Sequence, residues 1–251
     1  MRNPGKSRLQ PRARGTSAGI DRTKIVAEAL DLLQREGLEG VSTRRVAERL
    51  GVKSPALYWH VHSKDELLQL VADALCAEMA LPQKSQSFRR RLEKIASEYR
   101  RVLVAHRDAP RLFAELPPTG PHRMKLYDAA VEVFLDAGFP TAEAVAMATF
   151  YRHYLLGMIT EEARGQRVAK PPVLFPASAL GVELQHLEGT HRDYPSLSGA
   201  AKVLANIRPE KLFKAGLNVI LDGLELRAAE LRRGSMRSRI QNRPTTSRSG
   251  N

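Results

Sequence analysis

Tyr58, Trp59 and His60 stand in one short run behind Ser54, Pro55 and Ala56, with Thr43, Arg44, Lys53 and Lys64 close by in the chain. Hydroxyl, indole, imidazole, guanidinium and ammonium groups gathered in this way are donors for phosphate oxygens and base edges, which is the chemistry of nucleic-acid recognition. Two other pairs raise acid–base or metal chemistry: His106 with Asp108, and His153 with Glu161. The second pair is eight residues apart, about 80° round a helix, a weak metal spacing. The sequence holds no HExxH, no phosphate loop and no Ser–His or Cys–His arrangement, so no enzyme, metal site or cofactor is expected.

The elements that must position these groups are helices. Asp21 can cap a first helix in which Ile25, Ala29, Leu32 and Leu33 recur at helical spacing before Gly37. Ser42 can cap a short second helix with Val46, Ala47 and Leu50 inward, ended by Gly51. Ser54 and Pro55 read as the cap and first turn of a third, since proline's missing N–H has no helical partner there. A helix, a tight glycine turn and a second helix over Thr43 to Trp59 have the spacing of a helix-turn-helix. Leu57 and Val61, four apart, face inward. Tyr58 and Trp59 are consecutive, about 100° apart round the axis, so they cannot both be buried.

Beyond this unit the pattern stays helical. Ser63 to Glu66 forms a capping box opening a fourth helix that runs to about Leu81. A fifth follows from Phe88 to His106, and Pro110, Pro117, Pro118 and Pro121 then predict a turn-rich break. Helices are expected over His122 to Ala137, over Thr141 to Arg164, and over Arg208 to Leu231 with Phe213, Leu217, Ile220, Leu224 and Leu231 on one stripe. Residues 165–207 read as a long loop with one or two short helices. The fold class is therefore all-α.

The chain has 251 residues, with 40 Lys and Arg against 27 Asp and Glu, a formal charge of +13. Eleven of those charges lie at the ends: Arg2, Lys6, Arg8, Arg12 and Arg14 in residues 1–19, and Arg232, Arg233, Arg237, Arg239, Arg243 and Arg248 in residues 232–251, neither with an acid. Their composition predicts disordered basic arms that add salt-sensitive attraction to a polyanion. The single cysteine, Cys76, the absence of a long apolar run and the polar N-terminus predict a cytoplasmic protein without a membrane segment.

Gly37-Leu38-Glu39-Gly40-Val41-Ser42-Thr43-Arg44, Val46-Ala47, Leu50-Gly51-Val52 and Leu57-Tyr58-Trp59-His60-Val61 with Lys64 resemble the DNA-binding domain of the TetR family, in the tetracycline-repressor branch. His106-Arg107-Asp108, Gly138-Phe139, His153 to Glu161, Gly216-Leu217 and Asp222-Gly223-Leu224-Glu225 extend the resemblance over roughly residues 20–231. It implies a homodimeric repressor that binds a palindromic operator in double-stranded DNA and is released by a small-molecule effector. The alternative is a ligand-independent regulator or an activator. The implied organisation is a helix-turn-helix domain over 20–65 and a helical ligand-binding and dimerisation domain over 66–231, joined by the helix Lys64 to Leu81. The long helix and the last helix of each subunit would form the dimer interface.

Positions similar to the family's DNA contacts are Thr43, Arg44, Pro55, Tyr58, Trp59, His60 and Lys64. Ser54 and Ala56 stand where the tetracycline-repressor branch has a glutamine and a threonine that touch bases, so a different operator is implied. Ala80, Ile95, Phe113 and Ala130 are apolar where that branch has polar tetracycline and magnesium contacts. The expected pocket is therefore one for an apolar or aromatic molecule, bordered by Ile95, Tyr99, Phe113, Leu116, Tyr127, Ala130, Arg152 and His153.

Overall fold

The computed structural model of the chain describes residues 20–167 and 194–241, and every regular element among them is helical. The first helix, α1 (Arg22–Glu36), is capped by Asp21, whose carboxylate accepts from Lys24 N at 2.8 Å. Ile25, Ala29, Leu32 and Leu33 form its buried stripe. It stops at Gly37, where φ is +80° and where a Cβ would run into the Asp108 carboxylate. A single 3-10 turn, Leu38–Gly40, leads to α2 (Thr43–Arg49), capped by Ser42. Gly51, at φ +68°, makes the turn into α3 (Ser54–Tyr58). Lys53, not Ser54, occupies the cap position of α3, with no side-chain cap; Pro55 lies in the first turn, as expected.

The connector α4 (Lys64–Ala77) is capped by Ser63, whose hydroxyl accepts from Glu66 N at 3.0 Å. The reciprocal arm is displaced by one residue, because Glu66 accepts from His62 N at 2.7 Å rather than from Ser63. The helix also ends earlier than Leu81. Next come α5 (Phe88–Ala105) and α6 (Ala109–Glu115). The proline-rich break expected around Pro110 is thus in part a helix: Pro110 sits in its first turn, where the missing N–H has no intrahelical partner, and Leu112 and Phe113 supply buried anchors. Then α7 (Pro121–Asp136) and the long α8 (Thr141–Arg167) follow.

Beyond residues 168–193 lie α9 (Pro195–Ala205) and α10 (Pro209–Gln241). The last helix does not stop at Leu231, and the segment 232–251, expected to be disordered, begins as helix. No proline interrupts it before Pro244. Gly234 costs about 1 kcal/mol as an interior glycine, while arginines are good helix formers and favourable near a helix C-terminus. The arm 1–19 and residues 242–251 lie outside the described residues.

One apolar core runs through the described chain, from Ile25 and Leu57 through Leu67, Val71 and Leu75 of α4 to Leu92, Val102, Phe134, Tyr151, Leu155 and Leu221. The connector α4 packs on α1 at one end and on α5, α6 and α7 along its length.

Candidate DNA-contact face and effector cavity

The α3 helix has five residues, too few to be stable alone, and it is held by what it buries. Leu57 and Val61 are completely buried, which turns Tyr58 and Trp59 outward at 48% and 85% exposure. Pro55 is exposed; Ser54, Ala56 and His60 are half-buried. Thr43 and Arg44 begin α2 and Lys64 begins α4, so the nine sequence-predicted residues fall at the starts of α2 and α4 and along α3 and the turn that follows it. Arg44 donates to Glu48 one turn on, at 2.8 Å, a fully accessible pair of small worth that can be exchanged for a phosphate. Arg22 was not anticipated. Its guanidinium donates to the His60 carbonyl and to Glu66, each at 3.2 Å, and so pins the end of α3 to the start of α4. Arginine at the first position of an ordinary helix carries no local signal of this.

In the C-terminal part, α5, α7 and α8 enclose a cavity of about 10 Å³, room for one water at most. Five of the eight expected residues line it: Ile95, Tyr99, Tyr127, Ala130 and Arg152. Phe113 stands behind Tyr99, edge to face at 6.2 Å, and under the Arg123 guanidinium at 4.9 Å. Leu116 is half-buried and gives its carbonyl to Arg123. His153 is exposed and points away, accepting from Arg152 at 3.0 Å. Leu126, Ala148, Tyr151 and Leu155 complete the lining. The helical step was the signal for them, since Ala148 and Arg152, and Tyr151 and Leu155, are each one turn apart. Tyr151 donates to the Leu92 carbonyl at 2.8 Å, and Tyr127 shares a 2.5 Å hydrogen bond with Thr149. Burial pushes the Tyr99 and Tyr151 phenols above their ordinary range. It also pushes the Cys76 thiol up to about 12, leaving it unreactive.

A larger groove of about 470 Å³ lies between α5 and α10, beside Arg100, Arg101, Phe213 and Lys214. Its charges are satisfied within the protein: Arg100 is bidentate to Glu162 at 2.9 and 2.7 Å, Arg101 pairs with Glu98, and Lys214 with Glu210. Among the described residues no cluster of His, Cys, Asp and Glu could hold a metal ion, and no helix is long and apolar enough to cross a membrane.

One set of contacts joins the N-terminal helices to the C-terminal part, and a second ties α4 to α7 within the C-terminal part. At the corner before α6, Asp108 accepts from Leu38 N at 2.9 Å, Arg107 donates to Gln34 and to the Arg35 carbonyl, and Arg111 pairs with Glu39. On α4, Asp73 accepts from the first amides of α7, His122 N at 2.8 Å and Arg123 N at 2.9 Å. Close approach at Gly120, φ +104°, leaves no room there for a Cβ against Asp73. Other exposed apolar side chains include Met124 and Leu135 on α7, Val145 and Phe150 on α8, Leu197 and Val203 on α9, and Val219 and Leu226 on α10. Leu217 and Leu224, which the sequence places on the stripe of the last helix, are buried within the chain itself.

Residues 25–71 match the family model described as bacterial regulatory proteins, tetR family, and residues 81–228 match the tetracyclin repressor-like C-terminal domain. The chain is similar to the class C tetracycline repressor protein of Escherichia coli, 32% identical over 213 residues, covering 82% of this chain and 91% of the relative. It is 33% identical to the class A protein from transposon 1721 of Escherichia coli, over 83% of this chain and 92% of the relative. Among solved structures, ActR of Streptomyces coelicolor in complex with actinorhodin superposes with a TM-score of 0.74 at 26% identity, covering 84% of this chain and 99% of that one.

Proposed function

The chain belongs to the TetR family of bacterial regulatory proteins, and we propose that it works as a homodimeric repressor of a palindromic operator, released by a small aromatic effector. As a member it is a transcription regulator rather than an enzyme. In this reading residues 20–65 are the DNA-binding head and residues 66–231 the effector-binding and dimerisation part. The observation that carries it is the outward display of Tyr58 and Trp59 on a helix anchored by Leu57 and Val61. Monomeric soluble proteins seldom leave adjacent large aromatics this accessible without a partner. Thr43, Arg44, Pro55, His60 and Lys64 supply the phosphate and base contacts around them, with Ser54 and Ala56 setting a different sequence preference. The exposed Val145, Phe150, Val219 and Leu226 support pairing of α8 and α10 with a second copy.

Release follows a path of named contacts. An effector wedged between α5, α7 and α8 displaces α7, whose first amides sit on Asp73 of α4. At its other end α4 meets the head through Glu66, Arg22 and the His60 carbonyl. A tenfold loss of DNA affinity requires about 1.4 kcal/mol of coupling between the sites. Tetracycline repressors give their name to one effector. Here Ala80, Ile95, Phe113 and Ala130 offer no polar groups for such a ligand, and magnesium-tetracycline should release nothing. ActR's structure with actinorhodin supports an effector other than tetracycline for a chain of this kind.

The test begins by selecting an operator from random duplexes with the full chain. Tyr58→Ala with Trp59→Ala should then weaken binding to that operator at least tenfold in a mobility-shift titration. Unchanged affinity would remove α3 as the recognition helix.

A further inference from the structure

The last helix carries Arg232, Arg233, Arg237 and Arg239 towards its end, and residues 232–251 contain no acid. Arg232 and Arg233 are exposed, and among the described residues neither pairs with a carboxylate; Arg233 Nε donates to the Ala229 carbonyl at 3.4 Å. Other surface arginines are matched within the chain: Arg89 by Asp222 and Glu225, Arg111 by Glu39 and Glu115, and Arg227, the last before this run, by Glu143 and Glu230. Resting on the reading that α3 faces the operator, we propose that the arginine-bearing end of α10 grips the phosphates of a second duplex, so that the protein bridges two segments of DNA.

Where this end of the helix lies decides what it can touch. The loop after α5 meets the head, with Arg107 on Gln34 and the Arg35 carbonyl and Asp108 on Leu38 N. The opposite end of α5 holds α10, through Arg89 to Asp222 and Glu225. Between the two run the 18 residues of α5, about 27 Å of helix. In the same direction α7 runs from Asp73 of α4, under its first turn, to Asp136 beside Arg91. The course of α10 leads away from the head, since Phe213 lies under Arg100 and Glu225 against Arg89. Arg232 comes to the corner between α7 and α8, its Cγ 4.0 Å from where a Cβ on Gly138 would stand, and the helix continues for about 14 Å to Gln241. On the head's side, the 15 residues of α1 separate this loop from the His60 carbonyl, which Arg22 holds. The arginines thus stand several Debye lengths, each about 8 Å at physiological salt, from a duplex on α3, and add nothing to its hold.

The chemistry of the segment selects nucleic acid among polyanions. Its cations are all arginine, whose planar fork donates two parallel hydrogen bonds to a phosphate. Arg232 and Arg239 are seven residues apart and Arg233 and Arg237 four, so the four positions fall within about 160° of the helix, on one side. Serine, threonine, asparagine and glutamine, neutral donors to phosphate, fill most of the remaining positions of residues 232–251. A membrane surface calls for tryptophan, phenylalanine or leucine beside the cations; this segment has none of them and offers Met236 and Ile240 alone as large apolar residues.

The experiment fixes the selected operator to beads, saturates it with the full chain, washes, and adds a labelled duplex of unrelated sequence. Loaded beads should retain about tenfold more label than bare operator beads, and the retention should collapse between about 50 and 200 mM salt. Arg232→Gln, Arg233→Gln, Arg237→Gln and Arg239→Gln together should cut retention about tenfold, while melting temperature, operator affinity and the salt slope of operator binding stay unchanged. Equal retention by this variant, or no retention by the full chain, overturns the proposal. So does a variant with weaker operator binding and a flatter slope, because its arginines then lie on the operator itself. Cosedimentation of the full chain with phosphatidylglycerol vesicles, without capture of the second duplex, assigns the segment to a membrane surface and overturns it as well. Failure of the head assignment reads differently. Unchanged operator affinity in Tyr58→Ala with Trp59→Ala removes α3 from the operator, while loss of capture in the arginine variant still upholds the second-duplex site.

Discussion

The proposed recognition helix α3 buries one side chain, Leu57, whereas α5 buries eight, among them Ile95 and Tyr99 at the cavity. The proposed DNA-contact face is therefore made of what the packing leaves over, and the proposed effector cavity of what the packing almost fills. A site of the first kind needs only a short helix fixed at its inner edge. The second kind needs three helices in register, and its volume is set by the least movable ring among them. The head can thus lose a contact residue without losing its fold. In the C-terminal part the lining residues are also the core, so changes there act on stability and on ligand together.

The largest effect should come from the exposed apolar face, which belongs to neither site. Val219→Glu with Leu226→Glu should give a monomer by sedimentation, and operator affinity should fall about a hundredfold or more as the second head is lost. A persistent dimer would place the interface elsewhere. Leu57→Ala, at the inner edge of α3, should cost about 3 kcal/mol in urea unfolding. A cost below 1 kcal/mol would show that the head does not depend on that anchor.

Glu98 probes the other region. Its side chain is one-tenth exposed and accepts from Arg101, from Lys94 at 2.9 Å and from Ala80 N at 3.1 Å. Arg101 above all lowers the carboxyl from 4.5 to about 2, against the opposing effect of burial. Because the folded value is depressed, the stabilisation is complete above about pH 4.5 and is lost as the pH falls towards 2. Glu98→Gln should be less stable than the parent by on the order of 2 kcal/mol at pH 6 and should converge with it near pH 2. Parallel curves across that range would deny Glu98 the role.

The smallest change concerns the basic arm. Deleting residues 1–19 should flatten the salt dependence of operator binding by up to about 0.9 in the log–log slope for each phosphate neutralised, leaving the preferred sequence unchanged. An unaltered slope would leave Arg2, Lys6, Arg8, Arg12 and Arg14 without a part in binding.

What the sequence determined by itself was whatever depends on neighbours within a turn or two. The Asp21, Ser42 and Ser63 caps, the turns at Gly37 and Gly51 and the inward Leu57 and Val61 are local events of this kind, and they carry the outward display of Tyr58 and Trp59 with them. The helix through Pro110 and the continuation of α10 past Leu231 were not legible, because proline and glycine mark a breaking tendency that position in the helix or neighbouring helix formers can outweigh. The tertiary structure alone decided which residues meet across distance. It put His153 outside the cavity and Phe113 behind Tyr99, and it set Asp73 under the start of α7 and Arg22 against the end of α3. It also turned Leu217 and Leu224 into the core while leaving Val219 and Leu226 outside. Helical periodicity gives a side chain its angle about its own axis, but which neighbour fills that angle depends on how helices far apart in sequence are placed.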